Sequence, residues 1–514
     1  MTAVGRAVQP PWRRSDPLPR RPMRRLLALL VVAVGLAGPA APVAVAGDAG
    51  SAVATPAAVA GRLSARVAQS GARAGRFGGA VVDLDTGAVL WEREGSTLLV
   101  PASVAKLATA VAALDLLGPG YRFETTLEAR GTFDAATGTL EGDLVLRGSG
   151  DPSLSRREKP SDPLWPLSSL AAALAAKGVR AVHGALVLDD TVFDRQGLHP
   201  SWPASDLDDW YGAPAGGLSF NDACVTVRVR GGAEEGAPAS VTTPCTSGPW
   251  PVVSEVRTGA ERSAQVGGAF TADRARLRVF GTVGPGVEHE FDVPVPDPVL
   301  HAGAAMVAAL SAAGVRVTGG ARLAASAADR AVGEEVARVE HGLPDVLRTM
   351  NRRSQNFYAS SVFKACGAAV AGTGTWASGE RAVLDALARR GVPVEGARLV
   401  DGSGLSKENR LTALALARLL ALAERDPLRG PILRDSLAVP GDEGTLQRRF
   451  RDAESRRRLR AKTGTLGRSG VHALVGLVDG RDGRRGFAFA FLVNDGKIDG
   501  RDLVDALARL LVDA

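Results

Sequence analysis

Apolar and polar residues recur along this chain with two different periods, and the places where the period changes mark its organisation. Residues 53–70 carry apolar positions at helical spacing and predict a first helix. Gly78–Leu84 and Ala88–Trp91 read as strands joined by Asp85-Thr86-Gly87, a hairpin signal. After Pro101, Val104, Leu107, Val111 and Leu114 recur at helical spacing until Gly118-Pro119 stops the helix. From about 120 to 335 the texture differs. Short strand patterns (Thr125–Arg130, Leu140–Arg147, Ala185–Asp189, Val225–Val229, Ala275–Val279) alternate with Gly, Pro and Asp turns, interrupted by Ala-rich helical stretches near 167–178 and 302–314. From about 338 helical patterns dominate, over 343–351, 354–371, 378–390 and 411–424. Strand patterns at Val471–Val478 and Phe487–Val493 flank a turn at 479–483, and a last helix is expected over 501–513. The strands near 78–91 and 471–493 suit a single antiparallel sheet flanked by helices. The expectation is therefore an α/β (α+β) fold in which 47–118 and 338–514 form one discontinuous unit and 119–337 is a large, mostly-β insertion.

The 514 residues are 45% hydrophobic and 23% charged, a globular balance. The net charge of +7 is misleading. Seven of the 62 basic residues and one of the 55 acidic residues fall within 1–46, leaving 55 against 54 in the rest. A body so close to neutral is not expected to bind nucleic acid. Arg20, Arg21, Arg24 and Arg25 precede an apolar run from Leu26 to Gly38, and Ala44-Val45-Ala46 follows. The run is too short to cross an approximately 30 Å hydrocarbon core, and the order basic–apolar–small is that of an export signal ending near Ala46. Initiation at Met1 or at Met23 leaves a workable signal. The expected location is extracytoplasmic, in the wall or secreted. Cys224 and Cys245 can pair or remain two buried thiols, and the spacing does not choose; Cys366 lies in an apolar helical pattern and reads as core. No Cys/His spacing suits zinc, and no metal or other cofactor is expected.

Three short motifs carry chemistry. Ser103-Val104-Ala105-Lys106 opens the helix after Pro101, where i and i+3 share a face and an amine can reach a hydroxyl. A desolvated lysine can then serve as the base that activates serine. In Ser354-Gln355-Asn356, a hydroxyl and an amide two residues apart in a tight turn can face one cleft, one to relay a proton and one to hold a peptide group. In Lys462-Thr463-Gly464-Thr465, a strand turns Lys462 and Gly464 to one side and both threonines to the other, and Gly lets an extended peptide approach closely. A cation with two hydroxyls suits a carboxylate. All six His residues lie outside these motifs, and no G-x-S-x-G elbow surrounds Ser103, which argues against a Ser-His-Asp hydrolase.

The ordered set Ser-x-x-Lys, Ser-x-Asn, Lys-Thr-Gly is that of penicillin-binding proteins and serine β-lactamases. The gap of 251 residues from Ser103 to Ser354, against 108 from Ser354 to Lys462, requires an insertion between the first two motifs. With "LVPASVAKLATAVAALDLLGPGYRFETTL", "GDLVLRGSGDPSL", "WPASDLDDWYGAP", "DGSGLSKEN" and "AKTGTL", the chain resembles the class C low-molecular-mass penicillin-binding proteins, the D-alanyl-D-alanine carboxypeptidase/endopeptidase family.

The resemblance implies a serine penicillin-recognising fold, peptidoglycan stem peptides as substrate and β-lactams as inhibitors, and it leaves the oligomeric state open. It implies Ser103 as acylated nucleophile, Lys106 as general base and Ser354 as proton shuttle. It further implies Asn356 as the substrate-amide partner, Lys462 and Thr463 as carboxylate holders, and the N–H groups of Ser103 and Thr465 as oxyanion hole. Asp206 matches an aspartate that contacts a diaminopimelate amine, with Tyr211 as a flanking apolar wall. Lys407 stands where the family often has Arg, and Gly467 where some members carry a polar residue. Both departures bear on side-chain specificity, since Lys cannot reproduce a bidentate Arg contact. A serine β-lactamase is an alternative, although the E-x-x-L-N pattern of class A enzymes is missing from 357–461. A catalytically idle wall-binding scaffold is another, and intact motifs weigh against it.

Overall fold

The computed structural model describes residues 55–481 and 483–514. The export signal expected over 1–46 lies outside them. Among the described residues, no helix is long and apolar enough to cross a membrane.

Five strands form a central sheet: β1 (Phe77–Asp83), β2 (Val89–Arg93), β3 (Leu459–Leu466), β4 (Val471–Asp479) and β5 (Gly486–Asn494). Their order is β3-β4-β5-β1-β2, with every neighbour antiparallel. The two ends of the chain thus share one sheet, with Phe77 opposite Val493 and Asp83 opposite Phe487. Six helices pack on it or carry the site: α1 (Pro56–Gln69), α2 (Ala105–Leu116), α3 (Asn356–Ala371), α4 (Trp376–Arg389), α5 (Ala413–Ala423) and α6 (Gly500–Val512).

The strand period of two sorts side chains by size. Ala80, Val82, Ala473, Val475, Ala488 and Ala490 face the core built around α2 and α5, where small residues let helices sit close. Phe77, Val81, Leu474, Phe489, Phe491 and Val493 face the opposite core under α1 and α6. Helix α2 has no solvent face: every residue from Ala105 to Leu114 is buried, Lys106 included. An Ala-rich sequence without amphipathic contrast is what such a position requires.

The intervening chain builds three further sheets. Arg122–Asp134 pairs with Thr139–Gly148 and with Glu334–Gly342, Arg122 lying opposite Gly342. The segment therefore leaves and rejoins the central unit through one antiparallel pair, which lets a long insertion sit on two adjacent strand ends. The boundary expected at 337 falls inside Glu334–Gly342, which pairs through to Gly342. That strand is half-exposed and charged, so its apolar alternation is faint. The same reason hides Val252–Thr258 and Glu288–Pro294, while Ala264–Phe270 is half-exposed and carries two glycines; sequence patterning did not predict these strands. Two short helices, Gly430–Ser436 and Ala453–Arg458, were below the length at which periodicity shows. Cys224 and Cys366 are buried, and burial pushes the Cys366 thiol up to about 12.

Phe491 is fully buried and meets Trp91 edge-on at 6.1 Å. Phe491→Ala should destabilise the fold by about 3–5 kcal/mol, read as a lower midpoint in urea. A midpoint equal to wild type would remove the α1/α6 core as a main support.

Candidate active site

Ser103 sits in a single 3-10 turn, Ala102–Val104, directly before α2. The helix expected to begin after Pro101 is thus tightened at its first turn, and Ala102 takes a left-handed φ of 51°. One turn on, the fully buried Lys106 places Nζ 3.0 Å from Ser103 Oγ, 2.7 Å from Asn356 Oδ1 and 2.7 Å from the Ser403 carbonyl. Burial pulls this amine from 10.5 down to about 7, against the opposing charge of Asp401. A neutral amine has two N–H donors and one lone pair. Asn356 Oδ1 and Ser403 O can only accept, so they take the donors and leave the lone pair for the serine hydroxyl. The Asn356 amide is oriented in turn because its Nδ2 donates to the Tyr211 carbonyl at 3.0 Å. An amide nitrogen has two donors, so one remains for a ligand.

Ser354 precedes α3 in a left-handed conformation, φ 58°, and Gln355 and Asn356 are buried. Ser354 Oγ accepts from Lys462 Nζ at 2.8 Å, and the same amine donates to the Thr463 carbonyl at 2.8 Å. Burial, and then the charge of Lys106, holds Lys462 well below the usual lysine value. The three motifs, hundreds of positions apart, meet through direct hydrogen bonds.

Strand β3 is an edge strand. At its start Ala461 and Ala438 exchange both main-chain bonds, 3.0 and 3.1 Å, outside the sheet. Main-chain groups alternate sides along a strand, so those of Thr463 and Thr465 point outward as well, where no strand follows. Gly464 lies under the 3-10 turn: a Cβ there would stand 2.8 Å from the Pro101 carbonyl. Thr463 is buried; Thr465 is exposed, its hydroxyl donating to the Gly464 carbonyl at 2.8 Å.

Asp206 ends a 3-10 turn, Ala204–Asp206, and is half-buried. Tyr211, expected as an apolar wall, is more than that. Its hydroxyl donates to Asp209 at 2.8 Å and approaches Asp206 at 3.5 Å, and its carbonyl holds Asn356. Lys407 is exposed, its carbonyl accepting from Arg410 at 2.6 Å.

The Asp401–Asn409 loop carries groups that motif reading passed over. Buried Asp401 accepts four hydrogen bonds, from the Gly404 and Ser406 amides, Asn409 Nδ2 and Trp202 Nε1. These bonds curl the loop so that Ser403 O reaches Lys106 and Gly402 O accepts from Thr109 at 2.9 Å. Gly404 has φ 82°, and a Cβ there would lie 1.9 Å from the Ala102 carbonyl. The signal in the sequence was an Asp followed by two glycines in "DGSG", a turn pattern with no chemistry of its own.

Residues 59–513 match the D-Ala-D-Ala carboxypeptidase 3 (S13) family. The chain is 34% identical to a D-alanyl-D-alanine carboxypeptidase of Actinomadura sp., over 82% of this chain and 77% of that one. It is 30% identical to carboxypeptidase DacB of Mycolicibacterium smegmatis, over 84% and 79%. Among solved structures it is similar to penicillin binding protein 4 of Haemophilus influenzae, with TM-score 0.71 and 25% identity, covering 88% of this chain and 98% of that one.

Gly404→Ala combines left-handed strain, about 1–3 kcal/mol, with a clash on the turn that presents Ser103. It should lower the melting temperature and slow acylation of Ser103 by a serine-directed reagent; unchanged acylation would show that the loop does not hold the turn.

Proposed function

The chain belongs to the D-Ala-D-Ala carboxypeptidase 3 (S13) family, and from that premise we propose how its cleft divides the chemistry. The protein is a serine-type D-alanyl-D-alanine carboxypeptidase, a class C low-molecular-mass penicillin-binding protein acting on peptidoglycan. The relatives, named as carboxypeptidases, favour neither a β-lactamase nor an idle scaffold.

The observation that carries the mechanism is the buried Lys106 amine, within 3.0 Å of Ser103 Oγ and oriented by two acceptors. Neutral Lys106 takes the proton of Ser103 as Oγ attacks the carbonyl of the penultimate D-Ala. The outward N–H of Thr465, with that of Ser103, stabilises the oxyanion. As the tetrahedral intermediate collapses, the C–N bond to the terminal D-Ala breaks and its nitrogen takes, through Ser354, the proton that Lys106 drew from Ser103, which leaves Lys106 neutral again. Water, deprotonated by the same amine, then attacks the ester, and the proton returns to Ser103. The remaining N–H of Asn356 holds a substrate amide carbonyl. Lys462, Thr463 and Gly464 form the end of the groove that receives the terminal carboxylate, and the peptide extends beside β3 as an added strand.

We assign Asp206 and Lys407 to the side chain of the stem peptide's diamino acid. Asp206 is supported by its link through Tyr211 to Asn356, whereas Lys407 rests on its place in the loop alone. A cross-link between D-Ala and a second stem contains the same scissile D-Ala amide, so endopeptidase cleavage uses the same steps with a longer leaving group. A β-lactam ring offers a strained copy of that amide; the Haemophilus structure has also been solved with a β-lactam. Among the described residues the catalytic unit takes in 55–118 and the chain after Gly342, and the basic–apolar–small order of residues 1–46 supports export to the wall.

Labelled penicillin should modify the wild type and not Ser103→Ala, and release of D-Ala from a pentapeptide should stop in the same variant; equal labelling would remove Ser103 as nucleophile. Lys106→Ala should slow acylation by about 10²–10⁴-fold. Because the deprotonated amine is the active form, acylation should rise with pH around a midpoint near 7. A profile flat from about pH 6 to 9 would mean that Lys106 is not the base. Digestion of defined muropeptides with mass spectrometry separates loss of a terminal Ala from cleavage of dimers.

A further inference from the structure

The middle residue of the second motif, Gln355, takes no part in the steps above, yet it is buried and its side chain leaves the catalytic unit. Its Nε2 donates at 3.0 Å to Oδ2 of Asp222, a residue of the insertion. Asp222 is itself gripped by a fork: Arg157 Nη1 donates to Oδ1 at 2.6 Å, and Nη2 donates to Oδ2. A bidentate guanidinium fixes a carboxylate in both position and plane. Both acidic oxygens are therefore directed, one of them at Gln355.

The turn that carries Asp222 is unusual. Asn221, Asp222 and Ala223 all lie at left-handed φ, 52°, 57° and 55°, a conformation that non-glycine residues seldom hold even singly. It is held from several sides. Asn221 N–H donates to the Leu154 carbonyl at 2.8 Å, and Asn221 Nδ2 donates to the Cys224 carbonyl at 3.0 Å and to Thr226 Oγ1 at 2.9 Å. Arg157 comes from the same 154–158 segment. Across the contact Ser354 is also left-handed, so two conformations that cost energy in isolation face each other through one amide–carboxylate bond. Tyr358, one turn along α3 from Gln355, is buried against the same pair: burial first, and then the charge of Asp222, pushes its hydroxyl up to about 12.

We propose that Asp222 of the insertion, braced by Arg157, is a positioning residue for the reaction: it clamps Gln355 and so holds Ser354 against Lys462 and Asn356 against Lys106. The insertion is then not only a separate unit placed between two motifs. It completes the geometry of the second one, a role distinct from contact with the substrate. This rests on the reading of Ser103, Lys106, Ser354 and Asn356 given above.

The test is the rate constant for penicillin acylation in purified full-length variants, with melting temperature measured alongside. Asp222→Asn and Gln355→Met should each lower acylation by about 10–100-fold, the loss expected when a catalytic group is misplaced by an ångström or less. The pair D222N/Q355E, read beside Gln355→Glu alone, restores an amide–carboxylate bond with donor and acceptor exchanged, while the amide oxygen at position 222 keeps one of the two Arg157 contacts. It should therefore acylate faster than the product of the two single losses. Arg147→Met is the control. It breaks a fork to Glu128 within the insertion's own sheet, so it should lower the melting temperature and leave acylation unchanged. Gln355→Met keeps the Arg157–Asp222 pair whole, and it decides the matter if Asp222→Asn does not fold. The proposal is overturned if folded Gln355→Met acylates within about twofold of wild type, or if D222N/Q355E shows only the product of the Asp222→Asn and Gln355→Glu losses. A wild type that penicillin does not acylate would instead strike the reading of Ser103, on which the clamp depends.

Discussion

A buried amine that gives up its proton near neutral pH is the feature on which this molecule turns. Lys106 has no exposed surface, so the solvation that normally keeps a lysine protonated is gone, and the group sits near neutrality. Loss of charge alone would leave a poorly directed base. Direction comes from two carbonyl oxygens, one from Asn356 and one from Ser403, which leave a single site for the hydroxyl of Ser103. A second buried lysine, Lys462, is held well below the usual lysine value by burial and then by the charge of Lys106. Its contact with Ser354 ties the turn before α3 to the strand edge.

Each partner of that amine is delivered by a different part of the fold. Ser103 comes from a tight turn ahead of a helix with no solvent face, which is why the lysine one turn along is buried at all. The amide comes from the start of α3, reached through a left-handed serine. The carbonyl comes from a loop wound around the carboxylate of Asp401. One of its four donors, Trp202, belongs to the insertion, and Ser201 adds a 2.6 Å contact to Ser406. The edge of β3 supplies outward main-chain groups because the sheet stops there. Close packing makes these contributions interdependent: where Gly404 and Gly464 approach the turn at Pro101–Ala102 there is no room for a side chain.

The insertion is connected so as to allow this. It enters and leaves through paired strands, Arg122 beside Gly342, so its bulk does not interrupt the central sheet. It then returns to the catalytic unit by several routes. Lys364 on α3 is buried against Asp194 at 2.5 Å, beneath the rings of Phe193 and Trp376. Tyr211 reaches Asn356, and Trp202 reaches Asp401. In this carboxypeptidase, the insertion is thus continuous with the residues that surround Ser103 and Lys106.

Much of this was legible in the residues themselves. Short apolar runs at 78–91 and 471–493 pointed to one sheet made from both ends, because a central strand buried on both faces is apolar almost throughout. Ser103, Lys106, Ser354, Asn356 and Lys462 stood out because hydroxyl, amine and amide at those spacings have few structural uses in common. The charged strand Glu334–Gly342 and the outer strands of the insertion did not stand out, since half-exposed edges carry little apolar pattern. Nor did Asp401, Asp222 or Gln355. Their importance lies in which distant group each one faces, and a hydrogen bond spanning 133 positions, as between Asp222 and Gln355, leaves no periodic trace along the chain. Local sequence determines what a segment can become and which chemistry it carries. Which partners meet, and how far a buried amine loses its charge, depends on desolvation and direction, and those exist only once the chain has closed around the site.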